Sequence, residues 1–232
     1  MSKIQLLDQP HECFHCGKRF SQSRTLFSHM CEKKRRILQR TEKRVQAGFM
    51  AFNRFWTMAQ GGKPKSYEDF CDTSYYNAFV KFGSFINNTN ALYPDKFVDY
   101  VIKSGIKLDH WCRDELYYKY LYEIIKTEPV ESAVQRTLTT MMEWGDDHKA
   151  QFNHYFRYVT PNRAVHDILN GHISCWVILN TNDGNTMINN MSDEQLNMIG
   201  PAFDIQYWFK KFKEVPADVA LVKEICQEVG IQ

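Results

Sequence analysis

Three cysteines and a histidine near the start of the chain have the residue types and spacing of a metal site. Cys13 and Cys16 are separated by two residues, and a tight turn with this spacing can present two thiolates to one tetrahedral ion. His29 and Cys31 follow and supply an imidazole and a third thiolate. Zinc favours such ligands, so the sequence predicts one Zn²⁺ per chain, bound by these four residues.

The segment from residue 13 to 29 resembles the two-Cys, two-His zinc fingers. In that family an aromatic residue, a leucine and a histidine follow the second cysteine at fixed intervals, and Phe20, Leu26 and His29 fall in this register. The resemblance implies a ββα module with a very small core, whose folding energy comes from the metal. It also implies that four side chains on and beside the helix face the bases of a nucleic acid: Gln22, Arg24, Thr25 and Ser28.

The fourth ligand departs from the family pattern. Zinc fingers of this class place a second histidine four to six residues after the first, where this chain has only Lys and Arg. Cys31 is the available substitute, but an offset of two residues on a regular helix turns a side chain by about 200°. We therefore expect the helix to end just after His29. His11 is the alternative fourth ligand.

A basic segment follows the finger, over residues 32–62. Its apolar residues, including Leu38, Val45 and Phe49, recur at helical spacing, and Gly61 and Gly62 are a helix stop. The pattern predicts one amphipathic helix with a cationic first half that contacts phosphates irrespective of base sequence. Its cations are Lys33, Lys34, Arg35, Arg36, Arg40, Lys43 and Arg44.

Charge is distributed unevenly along the chain. Residues 1–65 carry 14 Lys and Arg against 4 Asp and Glu, a net +10, whereas residues 66–232 carry 15 against 23, a net −8. A basic end beside an acidic body is typical of a nucleic-acid contact at one end. We expect nucleic acid as the partner of the basic end, with DNA favoured over RNA, and a protein partner for the acidic body.

The pattern of the rest of the chain predicts helices that are separated by Pro, Gly and Ser residues at their ends. The predicted fold class is mainly α, with a ββα zinc-finger module, a basic helix and an all-α helical body. The predicted domains are an N-terminal arm over 1–11, the finger over 12–31, the connecting helix over 32–62 and the body over 63–232. The apolar run at residues 173–179 fits either a buried strand or a helix.

No stretch approaches the roughly 20 apolar residues that span a bilayer, and the N-terminus has no signal-peptide pattern. We expect no membrane contact and a cytoplasmic location. The cysteines outside the finger, Cys71, Cys112, Cys175 and Cys226, are widely spaced, which indicates buried small side chains rather than a disulfide framework.

Two further groups of side chains could do chemistry. Glu143, Asp146, Asp147 and His148 could bind a metal or serve as acid and base, which would make the chain a nuclease-like enzyme targeted by the finger. This cluster ends a helical segment and is expected to lie in water, so we predict no catalytic residue and favour a binding protein over an enzyme. His166 and His172 are six residues apart, a poor spacing for two ligands on one helix face.

One finger joined to a helical body is similar to the accessory proteins of large tailed phages. Residues 162–180 are also similar, in apolar spacing and a few identities, to the C-terminal part of phage helicase-loading proteins. These resemblances imply an accessory role in replication, repair or transcription, in the host cytoplasm. The remaining alternative is a structural or assembly protein in which zinc only stabilises the fold.

Overall fold

The structure is a computed structural model, and it describes residues 11–232. The described chain is mainly helical, with fifteen α-helices and one two-stranded sheet, which confirms the expectation of a mainly α fold. All but the last residue of the predicted N-terminal arm lies outside the described residues.

The N-terminal elements are two short strands and three helices. They are β1 (His11–Glu12), β2 (Arg19–Phe20), α1 (Ser23–Ser28), α2 (Glu32–Leu38) and α3 (Lys43–Gln60). The later helices are α4 (Tyr67–Asp72), α5 (Tyr76–Asn88), α6 (Pro94–Lys103), α7 (Asp114–Thr127), α8 (Val130–His148), α9 (Tyr155–Tyr158), α10 (Pro161–Leu169), α11 (Cys175–Ile178), α12 (Asn182–Asn189), α13 (Asp193–Ile199), α14 (Ile205–Glu214) and α15 (Pro216–Glu228).

The chain divides into two compact units. The first contains the residues up to Asn88 together with Val98–Cys112, and the second contains Thr89–Phe97 together with Arg113–Gln232. The metal-ligand candidates near the N-terminus belong to the first unit, and the acidic cluster on α8 belongs to the second. The domain boundaries proposed from the sequence stay predictions.

The first unit is built around the close packing of α3 against α5. Both helices place a glycine at the contact: a Cβ on Gly48 would lie 2.7 Å from the Phe79 carbonyl oxygen, and one on Gly83 would overlap the Arg44 carbonyl oxygen. Beside this contact, Phe52 and Phe70 are fully buried, with ring centroids 5.1 Å apart. The aromatic residues of the sequence therefore form the core that supports the basic segment.

The predicted single helix over residues 32–62 is wrong. Helix α2 ends at Leu38, a 3₁₀ turn follows, and Glu42 has extended backbone (φ −68°, ψ 130°) before α3 begins. Leu38, expected on the buried face, is 63% exposed, whereas Val45 is buried. The break allows α2 to pack on α4 while α3 packs on α5. The predicted stop is confirmed, with Gly61 in the left-handed conformation (φ 61°).

In the second unit, the ambiguous apolar run is helical. Helix α11 has four residues, Cys175–Ile178, and all four are buried, so no periodic polar face marked it in the sequence. Cys71, Cys175 and Cys226 are buried free thiols, as expected, and Cys112 is partly buried. Within residues 11–232, no helix is both long enough and apolar enough to cross a bilayer.

Candidate metal centre

The turn between β1 and β2 positions the first two cysteines. The strands pair antiparallel, with Glu12 opposite Arg19, and the Cys13 N–H donates to the Lys18 carbonyl at 2.9 Å. Gly17 donates to the Cys13 carbonyl at 2.8 Å and has a φ of +70°, a conformation that favours glycine. This tight turn presents the sulfur atoms of Cys13 and Cys16 to one point.

The end of α1 positions the other two ligand candidates. The helix ends at Ser28, and His29 already has extended backbone (φ −68°, ψ 125°). Cys31 is also extended (ψ 165°) and caps α2, where its Sγ accepts from the Lys34 N–H at 3.5 Å. The expectation that the helix ends near His29 is confirmed, and this extended link lets both side chains reach one site.

The four ligand atoms converge. All of them lie within 4.8 Å of one another, with Cys13 Sγ 4.0 Å from Cys31 Sγ and Cys16 Sγ 3.3 Å from His29 Nε2. Tetrahedral zinc with ordinary bond lengths would set these separations at about 3.8 and about 3.6 Å. The group could therefore hold a metal ion. His11 is not part of it.

The sulfur atoms influence one another. Burial opposes ionisation of the Cys13 thiol, but hydrogen bonds from the backbone of His15 and Cys16 outweigh it and lower the pKa of Cys13. A hydrogen bond from the Lys18 backbone favours the Cys16 thiolate, but burial and the neighbouring thiols of Cys13 and Cys31 outweigh it and raise the pKa of Cys16. Only a bound cation would favour all three sulfur atoms as thiolates at the same time.

The module around these ligands has almost no core of its own. Among residues 11–30 only Cys13 is buried. The Phe20 ring packs against His29 at a centroid distance of 4.7 Å, while Phe14 is 97% and Phe27 88% exposed. Burial of apolar surface therefore contributes little to the stability of this module.

The residues predicted to face bases lie on one short helix and its N-terminal cap. Gln22 precedes α1 as its cap, and Arg24, Thr25 and Ser28 are within it. All four are exposed. The Ser28 hydroxyl donates to the Thr25 carbonyl at 3.2 Å, a bond within the helix that leaves the side chains at the surface.

Some of the predicted phosphate-binding cations have partners within the protein. Lys33 pairs with Asp72 at 2.6 Å. The Arg36 guanidinium donates to the Cys71 carbonyl at 2.6 Å, and its side chain is only 12% exposed. Lys34 Nζ donates to the His29 carbonyl at 3.3 Å. These three cations help to fix α2 against its neighbours.

The other four cations are exposed. Arg35 and Lys43 lie on α2 and α3, and Arg40 lies in the 3₁₀ turn between them. Arg40 stacks over the Tyr67 ring at 5.1 Å, and Arg44 donates to Glu42 at 2.7 Å, with half of its side chain still exposed. The seven cations thus form a structural group (Lys33, Lys34 and Arg36) and an exposed group (Arg35, Arg40, Lys43 and Arg44), and Arg35 is the member of the exposed group that lies on α2.

The acidic cluster lies at the C-terminal end of α8. Glu143, Asp146, Asp147 and His148 are all exposed, as expected. In the part of the chain that the structure describes, no three of them bring ligand atoms within 4.8 Å of one another. The convergence that a nuclease-like site at this cluster requires is therefore not seen among residues 11–232.

A second convergence involves residues that the spacing argument rejected. His166, Asp167 and His172 bring their ligand atoms within 4.8 Å of one another. Helix α10 ends at Leu169, and Gly171 (φ +72°) reverses the chain, so that the His172 N–H donates to the Asp167 carbonyl at 2.8 Å. The two histidines do not share a helix face, and the Asn-Gly helix stop between them was the sequence signal for this geometry.

Comparison of the chain with protein-family models, with curated proteins and with solved structures finds no match.

Proposed function

We propose that this chain is a zinc-dependent nucleic-acid-binding protein. Residues 12–31 act as a zinc finger that presents α1 to the bases, and the exposed cations that follow bind the phosphates. The observation that carries the proposal is the convergence of Cys13, Cys16, His29 and Cys31 beneath a short helix with an exposed polar face.

Zinc is proposed from the donor set. Three thiolates and one imidazole are soft to borderline ligands, and tetrahedral coordination by Cys and His is typical of structural zinc. Two of the separations, Cys13 Sγ to Cys31 Sγ and Cys16 Sγ to His29 Nε2, fit zinc bond lengths to within a few tenths of an ångström. All four positions are filled by protein atoms, which supports a structural ion rather than a catalytic one.

Nucleic acid is proposed from the exposed residues beside this site. Gln22 can form two hydrogen bonds to adenine, whereas Thr25 and Ser28 discriminate less strongly between bases. One finger covers about three base pairs, too few for tight binding, so phosphate contacts must add affinity. Arg35, Arg40, Lys43 and Arg44 are exposed and are the cations assigned this task.

The acidic body is proposed to bind a protein partner. Residues 66–232 carry a net charge of −8, which repels nucleic acid and suits a basic protein surface. A nucleic-acid contact at one end and a protein contact at the other fit an accessory protein in replication, repair or transcription, of the kind that phages encode.

The experiment is a salt titration of binding to duplex DNA. We expect replacement of Arg35, Arg40 and Arg44 by Gln to weaken binding to all sequences. The slope of log affinity against log salt should flatten by up to about 2.7, since each lost phosphate contact contributes about 0.9. A control with the same charge change replaces Lys119, Lys210 and Lys223, which are exposed in the second unit, and should keep the wild-type slope.

An unchanged affinity and slope in the three-Arg variant would contradict the proposal. The module would then be better explained as a protein-docking element, the second candidate function. The observation that favours this candidate is the exposure of two large apolar side chains, Phe14 at 97% and Phe27 at 88%, because such surface commonly marks a binding site.

A further inference from the structure

A second group of ligand atoms lies in the helical body, in the wall of a cavity of about 630 Å³. His166 and His172 line this cavity. Asp167 lies behind them, with its side chain fully buried, while His166 is 61% and His172 15% exposed. The carboxylate is thus shielded from water, and the two imidazoles connect it to the cavity.

The two oxygen atoms of Asp167 have different surroundings. Oδ2 accepts hydrogen bonds from the Tyr155 hydroxyl at 2.7 Å and from Arg163 Nε at 2.8 Å. Oδ1 instead faces the Nδ1 atoms of His166 at 3.2 Å and of His172 at 3.7 Å. Oδ2 is held by two donors, whereas Oδ1 faces two imidazole nitrogen atoms, each of which can donate a hydrogen bond to it or bind a metal ion.

This arrangement is that of a metal-binding carboxylate. A ligating carboxylate typically has its second oxygen hydrogen-bonded, and a ligating imidazole has its other nitrogen supported by a polar group. The other nitrogen of His172 has such a polar neighbour, because Asn90 Nδ2 lies 3.4 Å from His172 Nε2. Rotation of the Asn90 amide presents its oxygen to that nitrogen when Nδ1 holds a metal.

The charges around the cavity favour a cation over an anion. Arg136 also lines the cavity, but it is paired with the buried Glu128 at 2.5 Å. Arg163 is paired with Asp167, and the Glu143 carboxylate lies at the cavity wall itself. Both guanidinium groups are therefore already paired with carboxylates, which makes the cavity less suited to an anion.

We propose that His166, Asp167 and His172 bind a divalent first-row transition-metal ion. The ligand atoms are Nδ1 of each imidazole and Oδ1 of the carboxylate. Two imidazoles and one carboxylate leave coordination positions open, and the cavity beside them has room for water or a small ligand. This site is independent of the cysteine site and of the proposed nucleic-acid contact.

The experiment titrates the metal-free full-length protein with Co²⁺. Equilibrium dialysis counts the bound ions, and thiolate-to-cobalt absorbance reports the cysteine site alone. We expect two Co²⁺ per wild-type chain, of which only one gives thiolate absorbance. His166→Gln should weaken the second ion by at least about 10-fold, the lower end of what loss of even an outer-shell partner causes. The thiolate absorbance should not change.

His148→Gln is the matched control, because His148 is an exposed histidine outside the cluster, and it should bind two ions. His172→Gln is a second test of the site, and circular dichroism checks that each variant is folded. A wild type that binds only the ion with thiolate absorbance would overturn the proposal. So would two ions bound with wild-type affinity by folded His166→Gln, and the cluster would then be a hydrogen-bonded network alone.

Discussion

Two groups of ligand atoms in this protein are held together by different means. Around Cys13, Cys16, His29 and Cys31, the module buries only one residue among positions 11–30. Around Asp167, the carboxylate is fully buried and accepts hydrogen bonds from the body itself. We therefore propose that the cysteine cluster depends on a metal for its shape, whereas the body arranges the carboxylate cluster before any ligand arrives.

The difference also concerns charge. Asp167 lies where burial alone would raise the pKa of its carboxyl group, yet hydrogen bonds from His172, Arg163, Tyr155 and His166 outweigh burial and lower that pKa well below its usual range. The carboxylate is thus ionised and compensated by protein groups. In the cysteine cluster, burial and the neighbouring thiols raise the pKa of Cys16, so full ionisation of the three sulfur atoms would need a bound cation.

The largest expected effect is that of metal removal. A strong chelator should unfold residues 12–31 and leave most of the helical circular dichroism, because the helices of both units have their own apolar cores. The measurement is circular dichroism with amide hydrogen exchange before and after chelation. In a Cys13→Ser variant, chelation should change little further. A cooperative loss of all helix would show that the module and the body are one folding unit.

The next effect is loss of the fourth ligand. Structural zinc sites bind with about 10–16 kcal/mol, so one ligand of four contributes about 3 kcal/mol, or a roughly 100-fold change in affinity. Cys31→Ser should weaken zinc by that amount, as measured by competition with a chromophoric chelator. Cys112→Ser is the control and should bind zinc as the wild type does. Unchanged affinity in Cys31→Ser would assign the fourth position to His11 or to water.

The cysteine cluster was predictable because its signal is local. Short spacings bring Cys13 and Cys16 together, and the Phe20 and Leu26 landmarks lie within a few residues of them. Only the substitution of Cys31 for histidine needed a geometric argument, and the extended backbone after α1 supplies it. The mainly helical fold followed in the same way from apolar periodicity and capping residues.

The features that were missed depend on tertiary contacts. The helix over residues 32–62 looked continuous because its apolar spacing is regular. In the structure its first part, α2, packs on α4, and its second part, α3, packs on α5. The His166 and His172 pair looked unsuitable because spacing was judged on one helix, whereas Gly171 turns the chain back. Arg36 looked like a surface cation, although it donates to carbonyls on another segment.

A smaller effect is expected for the carboxylate cluster. Asp167→Asn should lower the free energy of unfolding by about 2–3 kcal/mol, somewhat less than the roughly 3–5 kcal/mol for breaking a buried ion pair, since Arg163 remains half exposed. The measurement is urea unfolding at neutral pH. Zinc affinity at the cysteine cluster should not change, because the variant alters only the body. An unchanged unfolding free energy would show that packing, not the carboxylate, holds this cluster.

The same variant predicts a pH dependence. Because folding lowers the pKa of Asp167, its ionised form stabilises the protein fully above the unfolded value of about 3.9. That stabilisation is lost as the pH falls below about 4 towards the folded-state pKa. The difference in unfolding free energy between the wild type and Asp167→Asn should therefore be on the order of that 2–3 kcal/mol at pH 5 and shrink in stronger acid. A difference that grows in acid would contradict this assignment.

The smallest effect is that of removing one hydroxyl group. Burial, together with the Asp167 charge, raises the pKa of Tyr155, so its hydroxyl stays protonated and donates to the carboxylate at 2.7 Å. Tyr155→Phe keeps the ring and its edge-to-face contact with Trp144 at 5.4 Å. It should cost about 1.5 kcal/mol, the lower value for a hydrogen bond to a charged group. Tyr158→Phe, on the same short helix and 68% exposed, is the control and should cost almost nothing.

A double variant tests whether this hydroxyl acts through the carboxylate. If it does, Tyr155→Phe should cost less in the Asp167→Asn background than in the wild type, with a coupling energy of about 1 kcal/mol. The comparison uses urea unfolding of four proteins under one condition. Additive costs would mean that Tyr155 and Asp167 contribute independently. The carboxylate cluster would then be held by packing around it, and the contrast with the metal-dependent cysteine cluster would rest on burial alone.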